Sequence, residues 1–401
     1  MGDTKTLMDI SQVSKENCSG CSACVSICPQ KALSLKADEQ GFLYPFIEEE
    51  KCINCGFCMK VHNGIECIAH REDIVCYAAK NRNVDTLKKS SSGGISAAIA
   101  KQFIDDGGVV FGVIYDENYN VVTRRLNSLE ELESLYGSKY VQTDLKDTLV
   151  ECYKDLCNGL KVAFFGTSCH ISGLLSFLSA KKCDTSKLLT IDLICHGVPS
   201  PLLFRDYVNW LKENPYFYRY DFRTKYKPWG YGSRNFGCAI TYKKKNRYRV
   251  VIDSVKSRVP LNVFFSNNCL RPHCYNCPYI GIDKPADITI ADFWGCNQEE
   301  PDFFSESGVS AVIVHSDKAR LVLSENPSIE IKETTSDKIC KKQGNLHFAS
   351  KKAASYDLFW KQYKSKGFKA VARKYGGYNL MGLIRCSFIH KLYERIKYGA
   401  Q

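Results

Sequence analysis

The sequence predicts a multidomain protein of mixed α+β and α/β class. It has a small cysteine-rich domain first, then an α/β core with an added antiparallel region, and a helical C-terminal tail. Three observations lead to this prediction. Residues 18–67 contain two closely spaced cysteine runs. From residue 75 onward, apolar strand segments end in tight turns followed by helical patterns. Residues 218–255 alternate aromatic and polar side chains, as antiparallel strands do. The predicted division is a ferredoxin-like domain at residues 1–74, the two parts of one core at 75–160 and 161–345, and a basic helical tail at 346–401.

The N-terminal domain is predicted from its cysteine spacing. The first run is Cys18, Cys21, Cys24 and Cys28, followed by Pro29; the second is Cys52, Cys55 and Cys58, followed by His62. In bacterial ferredoxins with this spacing, three thiolates hold one iron–sulfur cluster and the fourth cysteine of the run ligates the other cluster. Gly20 and Gly56 permit the backbone turns between ligands. The sequence therefore predicts a ferredoxin-like domain with two 4Fe–4S clusters.

One of these clusters lacks an obvious fourth ligand. Cys28 completes the set of the second run, whereas the first run needs a ligand from the position of His62. Either His62 ligates through an imidazole nitrogen, or Cys67 reaches in from the following loop, or the ligand is not part of the protein. A pair of structural zinc sites is less favoured, because closure of the run by Cys-Pro is typical of clusters.

Composition supports redox chemistry in a reducing compartment. The chain has 21 cysteines and no apolar run of bilayer length, and residues 1–15 are polar, so we expect a cytoplasmic protein. The net charge of +12 is concentrated in residues 351–401, where twelve Lys and Arg face two acidic residues. This distribution predicts a local anionic partner rather than nucleic acid.

The core is predicted as strand, turn and helix in repetition. Strands are expected at residues 75–80, 161–165 and 188–194, a hairpin at 108–125, and helices at 95–104, 145–157 and 171–178. Helix N-termini preceded by small residues, as at Gly93 and Gly94, are anion sites, with a flexible linker as the alternative. Loops at the ends of such strands are where α/β proteins bind ligands.

These motifs together resemble a known family, the beta subunits of coenzyme F420 hydrogenases and dehydrogenases, here with a fused ferredoxin domain. The resemblance is carried by residues 89–94 (KSSSGG), 137–142 (GSKYVQ), 166–170 (GTSCH), 192–197 (DLICHG), 269–277 and 286–295. It implies a flavin, usually FAD with FMN as the alternative. The implied flavin loops contain Ser91, Ser92, Gly93 and Gly94, then Ser138, Lys139 and Tyr140, and then Gly166, Thr167 and Ser168.

The resemblance also implies a third iron–sulfur cluster beside the flavin. Cys269, Cys274 and Cys277 form a metal-type group of three thiolates. A fourth ligand is needed, from Cys195 or Cys169 at a strand end, and we prefer Cys195. The sequence departs from the family at His170, where a glutamine is usual; at the edge of a flavin this histidine would donate a proton to substrate, and capping of a helix start is the alternative.

We therefore expect an iron–sulfur flavoprotein oxidoreductase. Electrons from an external donor, such as ferredoxin or a reduced flavin or deazaflavin, would reach the flavin and then a small substrate, for example a nucleotide-sugar or polysaccharide-pathway intermediate. The alternatives are a coenzyme F420-dependent dehydrogenase and a non-catalytic electron-transfer subunit. The tail repeats apolar residues at helical spacing from Leu380 to Ile396 among basic residues, which predicts either peripheral membrane contact or a helix packed on the core.

Overall fold

The computed structural model describes residues 10–63, 73–225 and 237–384. Its helices are α1 (Ala23–Ile27), α2 (Phe57–Asn63), α3 (Val84–Lys89), α4 (Ile95–Asp105), α5 (Thr148–Cys157), α6 (Ser168–Ala180), α7 (Pro201–Lys212), α8 (Val255–Phe265), α9 (Cys296–Glu299), α10 (Asp317–Glu325), α11 (Ser336–Cys340), α12 (Gly344–His347), α13 (Tyr356–Lys366) and α14 (Phe368–Lys374). Short 3-10 helices cover Ile10–Gln12, Glu49–Lys51, Glu131–Leu135 and Pro272–Asn276. In these described segments, no helix has the length and apolar character needed to cross a bilayer.

The strands form three sheets within the described residues. They are β1 (Leu33–Ala37), β2 (Leu43–Ile47), β3 (Val75–Asn81), β4 (Val109–Tyr115), β5 (Val121–Leu126), β6 (Val162–Phe165), β7 (Leu188–Leu193), β8 (Phe217–Thr224), β9 (Gly237–Lys244), β10 (Arg247–Ile252), β11 (Ile288–Asp292), β12 (Ser310–Val314) and β13 (Ile329–Thr334). β1 and β2 pair in the N-terminal domain, and β10, β9 and β8 form the antiparallel region that was predicted from the alternating pattern.

The core is one mixed sheet in the order β13-β3-β12-β11-β7-β6-β4-β5. β4, β6, β7 and β11 are mutually parallel neighbours, and β12 runs antiparallel to both β11 and β3. β3 therefore runs in the same direction as β11, so the carboxyl ends of β3, β4, β6, β7 and β11 lie along one edge. Loops at that edge carry the predicted ligand-binding residues, as expected for α/β sheets.

The predicted boundary at residue 160 falls inside this sheet. β3, β4 and β5 come from residues 75–160, whereas β6, β7, β11, β12 and β13 come from residues 161–345. The predicted hairpin is confirmed as β4 and β5, and the two buried strands after residue 160 are confirmed as β6 and β7.

The described part of the tail has a buried segment and an exposed segment. Phe359, Phe368 and Val371 are buried in the same apolar cluster as α7 and α8. The following turn is different, because Leu380 is 72% exposed and Met381 is 59% exposed. Phe388, Leu392 and Ile396, which the tail prediction also invoked, lie outside the described residues.

The N-terminal domain shares an apolar core with the large sheet. Ala23 and Ile27 of α1 and Val61 of α2 pack in one buried cluster with Ile171 and Leu174 of α6. Ser176 of α6 also donates a hydrogen bond to the carbonyl of Val61 at 2.7 Å. Burial of these side chains joins the cysteine-rich domain directly to the helix that follows β6.

Candidate electron-transfer site

The two cysteine runs adopt the same local backbone. In the first, Gly20 and Ser22 have φ of 76° and 63°; in the second, Asn54 and Gly56 have φ of 52° and 72°. Residues with a left-handed backbone at alternate positions bend the chain tightly. Glycine and asparagine adopt this conformation most readily, and Ser22 adopts it here as well. A short helix follows each bend, α1 after the first and α2 after the second. The repeated bend thus follows the repeated spacing of the two runs.

A cavity lies against the first run. Cys18, Cys21, Cys24 and His62 all line it, together with apolar residues that include Ile10 and Leu35. His62 sits in α2 four residues after Cys58, just as Cys28 follows Cys24 by four residues. Cys67, the other predicted ligand, lies outside the described residues.

The second run lies at the surface. Cys55 is exposed, while Cys52, Cys58 and Cys28 are partly buried. Ile53 is 60% exposed and Phe57 is 46% exposed beside these cysteines. An exposed cysteine with apolar neighbours is accessible to another protein.

A second cavity gathers four cysteines from distant parts of the chain. Cys169 lies in the first turn of α6, Cys195 follows β7, and Cys274 and Cys277 lie in and after the 3-10 helix Pro272–Asn276. The volume of this cavity, including its opening to solvent, is about 550 Å³. Parallel strands β6 and β7 end at the same sheet edge, and this places Cys169 and Cys195 side by side. We call this the four-cysteine cavity.

Two backbone amides lie beside buried thiols of this cavity. Burial, together with neighbouring cysteines, raises the pKa of Cys195 to about 11 and that of Cys274 to about 12, so the free thiols are neutral at pH 7. The amide of Gly197 donates to Sγ of Cys195 at 3.3 Å, and the amide of Val198 donates to Sγ of Cys274 at 3.4 Å. Such N–H groups stabilise sulfur that carries negative charge, as it does when bound to iron.

The side chains at this cavity that could bind metal include four thiols. In the described segments, no three His, Cys, Asp or Glu side chains converge closely enough to hold one metal ion. A cubane differs because each thiolate binds a different iron atom around a larger body. Four thiols lining one cavity fit that donor set.

Cys269 does not belong to this cavity, and the structure places Cys169 with the other three cysteines instead. Cys269 is buried in the apolar cluster formed with α7 and α8, where its thiol contacts the carbonyl of Val263 at 3.5 Å. The pairing of Leu270 with Pro199 fixes the chain direction and turns Cys269 toward that core. The alternatives Cys195 and Cys169 are both present in the cavity.

The first run and the four-cysteine cavity are neighbours. A Cβ built on Gly173 would lie 2.6 Å from Cβ and 2.7 Å from Sγ of Cys21. Gly173 is four residues after Cys169 on α6, which is about 6 Å along the helix axis. The charges of Cys169, Cys21 and Cys277 all act on Tyr279, whose pKa is raised chiefly by burial. One helical turn therefore separates the two sites.

The predicted flavin loops divide into two places. The amide of Ser138 donates to Oγ of Ser91 at 2.8 Å, so residues 91–94 and 138–140 meet. Thr167 and Ser168 instead line the four-cysteine cavity, and Gly166 packs against His170 and Ile171.

The predicted phosphate position is the N-terminus of α4, after Gly93 and Gly94, and Gly93 itself is occupied by contacts within the protein. A Cβ on Gly93 would fall 2.4 Å from the carbonyl of Ala79, so the glycine is required by contact with β3. Its amide donates to Oγ of Ser310 at 3.0 Å. Ser92 Oγ likewise donates to the carbonyl of Val309 at 3.2 Å. These groups are engaged within the protein rather than aimed at an anion.

The side chains of Lys139 and Tyr140 also contact the protein itself. Lys139 Nζ donates to carbonyls of residues 134–137, at 2.9 Å in the case of Ser134. Tyr140 packs edge-on against Phe222, with ring centroids 5.6 Å apart.

The predicted proton donor, His170, is almost fully buried. Its exposed fraction is 2%, and burial, with a smaller contribution from the charge of Arg271, lowers its pKa to about 4. The imidazole is therefore neutral at pH 7, which does not match donation of a proton from an imidazolium. It lies in the first turn of α6, where its buried Nδ1 has no hydrogen-bond partner among the described residues.

Two family models match separate parts of the chain. Residues 17–61 match the model of the 4Fe-4S dicluster domain, and residues 159–337 match that of the C terminus of the coenzyme F420 hydrogenase/dehydrogenase beta subunit. An uncharacterized ferredoxin of Methanocaldococcus jannaschii is 41% identical over 46 residues, which are 12% of this chain and 58% of that protein. The chain thus spans little more than half of this curated relative.

A solved structure is also similar to this chain. It is a xenon derivative of the F420-reducing NiFe hydrogenase complex from Methanosarcina barkeri, with 17% identity and a TM-score of 0.43. The similarity covers 75% of this chain and 90% of the other.

Sequence reasoning missed two residues of the junction between the sites. Gly173 has no motif around it, and its close approach to Cys21 depends on tertiary packing. Arg271 is a charged residue inside a cysteine run, between Cys269 and Cys274, and that position was the available signal.

Proposed function

We propose that this iron–sulfur electron-transfer protein, which joins a 4Fe–4S dicluster domain to the C-terminal domain of the coenzyme F420 hydrogenase/dehydrogenase beta-subunit family, is a flavin-dependent oxidoreductase with a third 4Fe–4S site. The third site is the four-cysteine cavity of Cys169, Cys195, Cys274 and Cys277. The observation that carries the proposal is the single turn of α6 between Cys169 and Gly173, which places this cavity beside Cys21.

Each group of cysteines has its own part in this function. When bound, clusters of this kind supply reversible one-electron transfer. Cys18, Cys21 and Cys24 with His62 hold the inner N-terminal site, and Cys28 with Cys52, Cys55 and Cys58 holds the outer one. Amides of Gly197 and Val198 stabilise the thiolates of the third site.

An external one-electron donor meets the chain at the outer site. Cys55 is exposed there, and the exposed Ile53 and Phe57 offer apolar surface for docking. A ferredoxin or a reduced flavin or deazaflavin fits this part of the proposal.

The flavin, FAD or FMN, is the second part of the proposal. It is supported by the family resemblance and by the contact of Ser91 with Ser138 at the carboxyl edge of the sheet. Because Gly93 and Lys139 are engaged within the protein, we place no flavin phosphate on them. A two-electron carrier at this edge would exchange a hydride equivalent with a small substrate, for which a nucleotide-sugar or polysaccharide-pathway intermediate remains our hypothesis.

Anaerobic purification tests the proposal as a whole. The visible spectrum, with iron, sulfide and flavin quantified, should show about twelve iron atoms and about one flavin per chain. Iron without flavin would support the alternative of a pure electron-transfer subunit, and zinc in place of iron would exclude both.

A further inference from the structure

Arg271 is a fully buried cation at the junction of the two sites. Its side chain has an exposed fraction of 0%. The backbone holds it firmly, because its amide donates to the carbonyl of Val198 and its carbonyl accepts from the amide of Cys274, both at 2.9 Å. The residue therefore belongs to the loop that forms the four-cysteine cavity, and it lines that cavity.

The guanidinium points away from this loop and into the N-terminal domain. Nε donates to the carbonyl of Cys18 at 2.7 Å, and Nη2 donates to Sγ of Cys18 at 3.4 Å and to the carbonyl of Leu43 at 3.0 Å. Nη1 donates to Oε1 of Gln142 at 3.0 Å, and the ring of Tyr44 lies 4.2 Å below. The forked guanidinium group of Arg271 thus links the first cysteine run to the core through hydrogen bonds.

Within residues 10–63, 73–225 and 237–384, no carboxylate forms an ion pair with Arg271. A buried charge without a counter-ion is strongly destabilising. Three cysteines lie within reach of its charge: Cys18 by direct contact, and Cys21 and Cys274, on both of which the charge acts. Thiolates of an iron–sulfur site would supply the missing negative charge.

We propose that Arg271 is the counter-cation of the iron–sulfur site at Cys18, Cys21 and Cys24, and that it raises the reduction potential of that site above that of the outer site. The inference rests on the proposed function. Its physical basis is that reduction adds negative charge, which a buried cation and an N–H···S hydrogen bond both stabilise. Arg271 is a positioning residue, since it acts through Cys18.

The outer site provides an internal control. Cys55 is exposed and Cys52 has Oδ1 of Asn54 as its side-chain neighbour at 3.6 Å, not a cation. Potentials of the two sites can thus be compared within one molecule. Arg125→Met is a matched control variant. Arg125 lies on β5, pairs with Asp155 of α5 at 2.7 Å, and has no recorded contact with a cysteine of either site.

The test is a redox titration of the anaerobically purified protein, followed by electron paramagnetic resonance. In Arg271→Met, the one-electron reduction equilibrium of the inner site should become at least tenfold less favourable, a fall of about 59 mV. Arg271→Lys, which keeps the charge and loses the fork, should fall in between. The outer site in these variants, and both sites in Arg125→Met, should keep their potentials. Unchanged potentials in iron-loaded Arg271 variants would overturn the inference while leaving the proposed function intact.

A second measurement needs no substitution and covers the case of variants that do not fold. Wild-type protein labelled with ¹⁵N only in arginine should show, in the reduced state, a ¹⁵N hyperfine coupling to the inner site through the hydrogen bond to Cys18. An iron-loaded protein without this coupling would overturn the proposal. A wild-type protein without iron would instead count against the proposed function.

Discussion

Gly173 lies directly against Cys21, so close that a Cβ on the glycine would be 2.7 Å from the cysteine sulfur. No real Cβ tolerates such a contact, because interiors are packed at crystal-like density. Because Gly173 has no side chain, the inner N-terminal site can lie close to α6, the helix whose first turn contains Cys169. This contact determines how near the dicluster domain lies to the rest of the protein.

The first prediction follows from this contact. Gly173→Ala should displace Cys21, since overpacking of this kind costs about 1–3 kcal/mol. The variant should lose iron from the inner site or pass electrons more slowly from the outer site to the core in stopped-flow reduction.

The control for this variant is Gly344→Ala. Gly344 has open space around its Cβ position and lies in α12. It should keep wild-type iron content and rates. Wild-type behaviour of Gly173→Ala in both assays would show that the contact with Cys21 is unimportant.

The second prediction distinguishes Cys169, which lines the four-cysteine cavity, from Cys269, which the sequence assigned to the third site. Cys169→Ala should lose about four iron atoms per chain, because a cubane cannot retain its full ligand set without that thiolate. Cys269→Ala should keep all its iron and lose only stability, since Cys269 fills an apolar core. Iron analysis with thermal denaturation distinguishes them. Loss of iron in Cys269→Ala alone would restore the assignment made from the sequence.

The third prediction concerns His62. It lines the cavity of Cys18, Cys21 and Cys24, so His62→Cys should keep the iron and lower the potential of the inner site. The direction follows from Rieske centres, where histidine in place of thiolate raises the potential. Cys67→Ala should leave the iron content unchanged. A cluster lost in Cys67→Ala would identify the loop cysteine as the ligand.

The fourth prediction concerns the tail. Deletion of residues 380–401 should give folded, iron-loaded protein, because Leu380, Leu383 and Ile384 are exposed rather than packed in the core. If the tail contacts a membrane, full-length protein should sediment with anionic vesicles at low salt and the deletion variant should not. Equal behaviour of the two proteins would remove the membrane hypothesis, and an insoluble deletion variant would indicate a core role.

The sequence predicted the local elements of this fold well. Cysteine spacing gave the two repeated bends, and apolar runs gave β6 and β7, because these signals are local. The pairing of β12 and β13 with β3 was not foreseen, because these strands return from distant sequence. Pairing between distant strands leaves no local pattern.

The same distinction explains the candidate site. Cys274 and Cys277 were found from their spacing. Cys269 was assigned with them, and the fourth ligand was left between Cys195 and Cys169, because the direction in which the loop at Cys269 turns has no local signal in the sequence. Gly93 was interpreted as room for a phosphate, but its space is taken by the carbonyl of Ala79. A glycine that approaches another strand and one that approaches a ligand look alike in sequence.

The measurement that tests the central claim most directly is the iron content of anaerobically purified protein, with Cys169→Ala beside it. Three cubanes predict about twelve iron atoms per chain in the wild type and about eight in the variant. A wild-type protein with about eight iron atoms, unchanged in Cys169→Ala, would contradict a third site in the four-cysteine cavity.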